Sequence, residues 1–153
     1  MIFDSLEEAL KNLDTFISYD IDAFIKYYKI SLHYTESLPE NINGYTVPLT
    51  RTMFINERCK NKLFVEHHEL IHCLLDENAE LLIESVYMEG TRIEHRADIG
   101  ALSMMLKEYV LYLDTKPTEF NVVHFQQYYG LDDKYLYDIA NVAEKMFNTK
   151  IDL

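Results

Sequence analysis

One segment in the middle of the chain has residue types and a spacing that suit metal chemistry. It reads His68-Glu69-Leu70-Ile71-His72, the pattern H-E-x-x-H. On an α-helix, residues four apart lie one above the other on one face, so both imidazoles can bind the same ion. Zinc suits imidazole ligands, and Glu69 would be the base that takes a proton from a zinc-bound water. The pattern therefore predicts a zinc hydrolase site, and a pair of structural histidines is the alternative.

A second segment offers a third ligand. Glu94 and Asp98 are also four residues apart and would share a helical face. Glu94 would complete the ligand set, and Asp98, one turn later, could accept the free ring N–H of a ligating histidine. H-E-x-x-H with a separate glutamate is the gluzincin pattern. The metzincin pattern fails, because Leu75 and Asn78 stand where it requires Gly and His.

Both pairs lie in segments with helical patterns. Apolar residues recur every three or four positions around the histidines, which predicts a metal helix over about residues 61–76. A third-ligand helix is predicted over about 92–113, and a C-terminal helix pair over about 119–147, interrupted at Gly130. Between residues 79 and 88 the pattern does not distinguish a helix from a strand.

The N-terminal part predicts two short helices and a small sheet. Ser5-Leu6-Glu7-Glu8 has the form of a capping box, and a second helix begins at Asp20 or Asp22. Three strand-like segments follow, at Ile30–Tyr34, from Tyr45 and at Thr52–Asn56. We therefore expect an α+β fold, with a small antiparallel sheet packed on a helical core that carries the metal helix.

The sheet could also bind a substrate. Peptidases of this general type commonly bind an extended peptide as an added strand, because backbone hydrogen bonds hold it across the metal. Such binding requires an exposed sheet edge. Thr52–Asn56 is our candidate for that edge, and an ordinary internal strand is the alternative.

Composition limits the class of partner. A chain of 153 residues, 48% hydrophobic and 13% aromatic, predicts one globular domain over residues 1–153. The formal net charge of −12 argues against direct binding of nucleic acid, because phosphate binding needs clustered Lys and Arg. It would suit a basic partner such as a DNA-binding protein. Two cysteines, no signal-peptide pattern and no long apolar run predict a cytoplasmic protein without membrane contact.

The chain resembles the ImmA/IrrE metallo-endopeptidases of bacteria, phages and mobile elements, from about Asp20 to about Glu144. Three segments carry the resemblance, and they are the strand pair within residues 44–56, the H-E-L-x-H helix at Phe64–Leu75 and the E-x-x-A-D helix at Glu94–Asp98. Two departures lie in those helices. Ile71 stands where the family usually has Gly, and Gly100 stands where a large aromatic residue is common.

The resemblance implies a function and the roles of four residues. His68, His72 and Glu94 would be zinc ligands, and Glu69 would be the catalytic base. Family members characteristically cut helix-turn-helix repressors that are encoded nearby. The expected activity is therefore a zinc-dependent endopeptidase that cleaves such a repressor and derepresses phage, mobile-element or stress genes.

Two other functions stay open. A catalytically silent relative would inactivate a repressor by binding it. A DNA-binding regulator is the second alternative, because the last helix pair has helix-turn-helix spacing. Its second helix begins Asp132-Asp133-Lys134, however, and presents few cations to phosphate.

The donor that would stabilise a negatively charged oxygen is not assigned. The candidates are His95, Arg96, His124 and one of the tyrosines, and a surface or packing role is the preferred interpretation for each. We expect His67 to be exposed or to lie beside a ligand without being one.

Overall fold

The computed structural model describes residues 2–16, 20–76 and 87–152. The chain divides into two compact units, residues 1–101 and residues 102–153. The single domain over 1–153 stays a prediction. Of the ambiguous segment at 79–88, the residues up to 86 lie outside the described ones, and a helix is present from Tyr87.

The first unit contains helices and a small sheet, which confirms the α+β fold. Its elements are α1 (Leu6–Leu13), α2 (Ile21–Tyr27), β1 (Ser31–Thr35), β2 (Gly44–Val47), β3 (Thr52–Asn56), α3 (Lys62–Leu75) and the first part of α4 (Tyr87–Leu113). The predicted metal helix is thus α3, and the predicted third-ligand helix is α4. Helix α1 begins at the predicted capping box, where the Ser5 hydroxyl accepts the Glu8 N–H at 3.1 Å.

The sheet has three strands in the order β1-β3-β2. Strand β3 is parallel to β1 and antiparallel to β2, so the sheet is mixed rather than purely antiparallel as expected. The expectation that Thr52–Asn56 forms an edge was wrong, since this strand is central. Strand β3 pairs with β1 on one side and with β2 on the other, so the sheet uses both rows of its backbone hydrogen-bonding groups.

Helix α3 lies in the core of this unit. It packs against β2 and β3, and most of its side chains are buried, on all sides of the helix. It begins at Asn61, whose side chain accepts the Phe64 N–H at 3.2 Å. A buried acid, Glu66, accepts the hydroxyl of Tyr34 on β1 at 2.5 Å. Apolar contacts therefore hold the helix, and this hydrogen bond adds a polar link to one edge of the sheet.

The second unit is helical. It contains the end of α4 together with α5 (Val122–Tyr129) and α6 (Leu136–Phe147). The predicted helix pair is confirmed, and Gly130 ends α5 in a left-handed conformation with φ of 63°. Tyr109 packs edge-on against Phe125 at 5.1 Å between ring centroids. Among the helices of the described segments, none combines the length and the apolar character that crossing a bilayer requires.

Candidate metal centre

Three predicted ligands come together between α3 and α4. Nε2 of His68 lies 2.9 Å from Oε2 of Glu94, and Nε2 of His72 lies 3.1 Å from Oε1 of the same carboxylate. The two Nε2 atoms are 3.1 Å apart. Two atoms that bind one tetrahedral zinc at ~2.0–2.1 Å lie about 3.3 Å from each other. The spacing and the two-nitrogen, one-carboxylate donor set therefore fit a catalytic zinc site.

The other nitrogen of each imidazole is already occupied by a carboxylate. Nδ1 of His68 donates to Oδ1 of Asp98 at 2.8 Å, at the position the E-x-x-x-D spacing predicted. Nδ1 of His72 donates to Oδ2 of Asp76. Because a carboxylate accepts at each Nδ1, a neutral ring of this tautomer would offer its Nε2 lone pair to an ion, which is what metal binding requires.

Asp76 belongs to the site although sequence reasoning missed it. Its carboxylate is buried at the end of α3, and its Oδ1 lies 2.5 Å from Nη2 of Arg96 on α4. A usable signal was present, because His72 and Asp76 have the same four-residue spacing as Glu94 and Asp98. Arg96, a candidate oxyanion donor in the sequence, thus binds the Asp76 carboxylate through its guanidinium.

Burial and the carboxylates shift the protonation of the cluster in opposite directions. Burial alone would lower the pKa of His68, but its hydrogen bonds to Asp98 and Glu94 raise the pKa to about 9. The pKa of His72 rises to about 10 for the same reason, through Asp76 and Glu94. The two imidazoles hold the pKa of Glu94 well below its usual range. The shifts thus favour the charged form of every group in the cluster, a Glu94 carboxylate anion between two imidazoles that bind protons more tightly than usual.

Glu69, the predicted base, lies beside this cluster and is buried against β2. Its Oε2 accepts the hydroxyl of Thr46, and a Cβ built on Gly44 would lie only 2.8 Å from its Cγ and Oε1. Only glycine therefore leaves room for the carboxylate at that position of the strand. Burial raises the pKa of Glu69, and the charges of His72 and the Thr46 hydrogen bond partly offset that increase. No sequence signal pointed to Thr46.

The remaining histidines near the motif have other positions. His67 is buried, with 1% of its surface exposed, so the first of its two expected positions, an exposed one, was wrong. Its Nδ1 donates to the Leu63 carbonyl at 2.7 Å, and its Nε2 has no hydrogen-bond partner among the described residues. His95 is exposed on α4, and His124 lies in the second unit, in the first turn of α5. The oxyanion donor stays unassigned.

No family model matches the chain, and no curated protein or solved structure shows a significant match to it. The likeness to the ImmA/IrrE family therefore rests on the quoted motifs.

Proposed function

We propose that the protein is a zinc-dependent endopeptidase of the ImmA/IrrE type, acting in the cytoplasm on a helix-turn-helix repressor. One observation carries the proposal: the Nε2 atoms of His68 and His72 converge on the Glu94 carboxylate, with ligand atoms of all three within 4.8 Å of one another. Asp76 and Asp98 each hold one ring at Nδ1, as carboxylates behind metal-ligating histidines do. The two Nε2 atoms and the Glu94 carboxylate then form a three-ligand set, and this arrangement favours a metal site.

His68, His72 and Glu94 would hold the ion in this mechanism. Zinc, when bound, supplies a Lewis acid that lowers the pKa of water to about 7 and polarises a peptide carbonyl. Glu69 takes the water proton on Oε1, since its Oε2 already accepts the Thr46 hydroxyl. Burial raises the pKa of Glu69, which makes it a stronger base, and it then passes the proton to the leaving amine nitrogen. The new C–O bond replaces the C–N bond, and the peptide is hydrolysed.

The free edge of β2 is the place for the substrate in this proposal. Asn56 N–H donates to the Asn43 carbonyl, so residues 43, 45 and 47 pair with β3 in the antiparallel register. The N–H and C=O groups of Gly44 and Thr46 then point away from β3. Within the described residues no strand pairs with that side. An extended peptide bound there would lie next to Glu69, which both residues contact.

The decisive test separates metal binding from cleavage. We expect Glu69→Gln to bind one zinc like the wild type, and to lose cleavage by about 10²–10⁴-fold because the base is gone. His72→Ala should lose both. Zinc is measured by titration against a chromophoric chelator, and cleavage by mass spectrometry of the repressor encoded beside the gene. Zinc binding with a stable repressor complex, and no cut in the wild type, would replace the peptidase by a binding antirepressor.

Amide exchange tests the position of the substrate. A zinc-binding hydroxamate attached to an extended peptide should slow hydrogen exchange at Gly44 and Thr46, because their N–H groups become strand partners. The amides of β1, the other edge of the sheet, serve as the control and should keep their rates. Slowed exchange in β1 with no change at Gly44 and Thr46 would place the peptide on the wrong edge for this proposal.

A further inference from the structure

The imidazole of His72 is supported by two charged side chains in sequence. Asp76 accepts its Nδ1–H and also ends α3, where the Asp76 backbone N–H donates to the His72 carbonyl at 2.9 Å. Arg96, on α4, reaches the second oxygen of that carboxylate at 2.5 Å. The three groups form one continuous path from a residue outside the zinc motif to a predicted ligand.

Asp76 is more deeply buried than Asp98, the other carboxylate that holds an imidazole of the cluster. The Asp76 side chain is 5% exposed, and that of Asp98 is 23% exposed. A buried carboxylate loses its hydration, so charged or polar groups must take the place of the water. The guanidinium of Arg96 supplies that replacement, and it lies two residues after Glu94 on the same helix. One contact therefore joins the end of α3 to the turn of α4 that carries the third ligand.

We propose that Arg96 is a positioning residue for the metal centre: its ion pair with Asp76 fixes the carboxylate that holds Nδ1 of His72, and so keeps Nε2 of His72 aimed at the ion. It does not touch the ion or the substrate. The inference rests on the proposed function only for the identity of the ion, zinc. Because partners behind a ligating histidine set metal affinity, a change at Arg96 should appear in zinc binding even with no substrate present.

The test uses the full chain and zinc alone. We expect Asp76→Asn to weaken zinc binding by roughly 10–100-fold, and Arg96→Met by about tenfold, since it acts one step further from the metal. Arg96→Lys should recover part of the loss, because an ammonium keeps the charge without the planar fork. The matched control is Arg92→Met, which removes the same charge from an exposed position one turn earlier on α4. Affinity is measured by chelator competition.

A second readout distinguishes positioning from general stability. In the zinc-loaded wild type and in Arg92→Met, the Nδ1–H of His72 should give a slowly exchanging proton resonance, and in Arg96→Met its exchange should be faster. If Arg96→Met does not fold, Arg96→Gln takes its place. Zinc affinity and exchange equal to those of Arg92→Met would overturn this inference and leave the peptidase proposal intact. Failure of the wild type to bind zinc would overturn both.

Discussion

The two helices that carry the predicted ligands bury them to very different degrees. His68 and His72 on α3 expose 15% and 8% of their side chains, whereas Glu94 on α4 exposes 57%. Each imidazole has a carboxylate behind it, and Glu94 contacts the two imidazoles themselves. The centre therefore has a buried side, fixed by the core, and an open side that faces solvent.

This difference suggests that the buried side supplies most of the zinc affinity and that the open side gives water and substrate access to the ion. A buried ligand with its own partner loses little entropy when an ion binds, so the imidazoles should supply most of the affinity. An exposed carboxylate can be replaced by water at smaller cost. It also leaves one side of the ion accessible, which a catalytic zinc needs for water and substrate.

Removing one ligand from the buried side and one from the open side tests this difference most directly. We expect His72→Ala to bring zinc binding below detection, because the loss also leaves Asp76 buried without its imidazole. Glu94→Ala should weaken binding yet leave it measurable, since water can enter an exposed position. Zinc affinity by chelator competition decides the matter. Equal losses in the two variants would contradict the division into a fixed side and an open side.

Competition between protons and zinc for the two imidazoles should have the next largest effect on zinc affinity. The carboxylates raise the pKa of both imidazoles above the ordinary value, so below about pH 9 the metal-free pair holds at least one proton that zinc must displace. The sign follows: zinc affinity falls as pH falls. We expect a change of about tenfold per pH unit, for each proton displaced, between pH 6 and 8.

The slope is obtained by repeating the chelator titration at pH 6, 7 and 8, with proton release measured by calorimetry in two buffers. His95→Gln is the control, because His95 is an exposed histidine on α4 outside the cluster. Its slope should match the wild type. An affinity independent of pH over this range would mean that the carboxylates do not retain a proton on the pair.

The parts that the sequence predicted well depend on local periodicity. The metal helix, expected over 61–76, spans Lys62–Leu75, and Asp98 lies behind His68 as its spacing indicated. The extent of the helix and the shared face of Glu94 and Asp98 follow from the four-residue repeat, which few distant contacts can change. The convergence of His68 and Glu94 needed more than periodicity. It was expected from the motif pattern, and helix packing within the first unit provides it.

The parts that were missed depend on distant contacts. Strand order decides which strand is central, and the alternation within Thr52–Asn56 carries no information about it. Thr46 reaches Glu69 across 23 residues of sequence, and a threonine in a strand is too common to be a signal. Asp76 is different, because its spacing from His72 was visible and only its partner Arg96 was not.

Two departures from the family pattern meet in space. A Cβ built on Gly100 would lie 2.7 Å from Cγ1 of Ile71 and 2.9 Å from Cδ1 of Leu6. The side chain of Ile71 thus fills the space that a Cβ at position 100 would need. Ile71 and Gly100 are therefore matched in size where α3 packs against α4.

A double-mutant cycle at these two positions tests this match in size and has the smallest expected effect. Gly100→Ala gains about 1 kcal/mol of helix propensity, but the overlap with Ile71 should cost about 1–3 kcal/mol, so a net loss of stability is expected. Ile71→Ala alone should cost about 2–5 kcal/mol through the cavity it leaves. In the Ile71→Ala background the overlap with Ile71 is gone and only the close contact with Cδ1 of Leu6 is left, so Gly100→Ala should cost less stability than it does in the wild type. Urea unfolding of the four metal-free proteins gives the coupling energy. Additive effects would show that the two positions are not matched in size, and that the close approach of α3 and α4 has another cause.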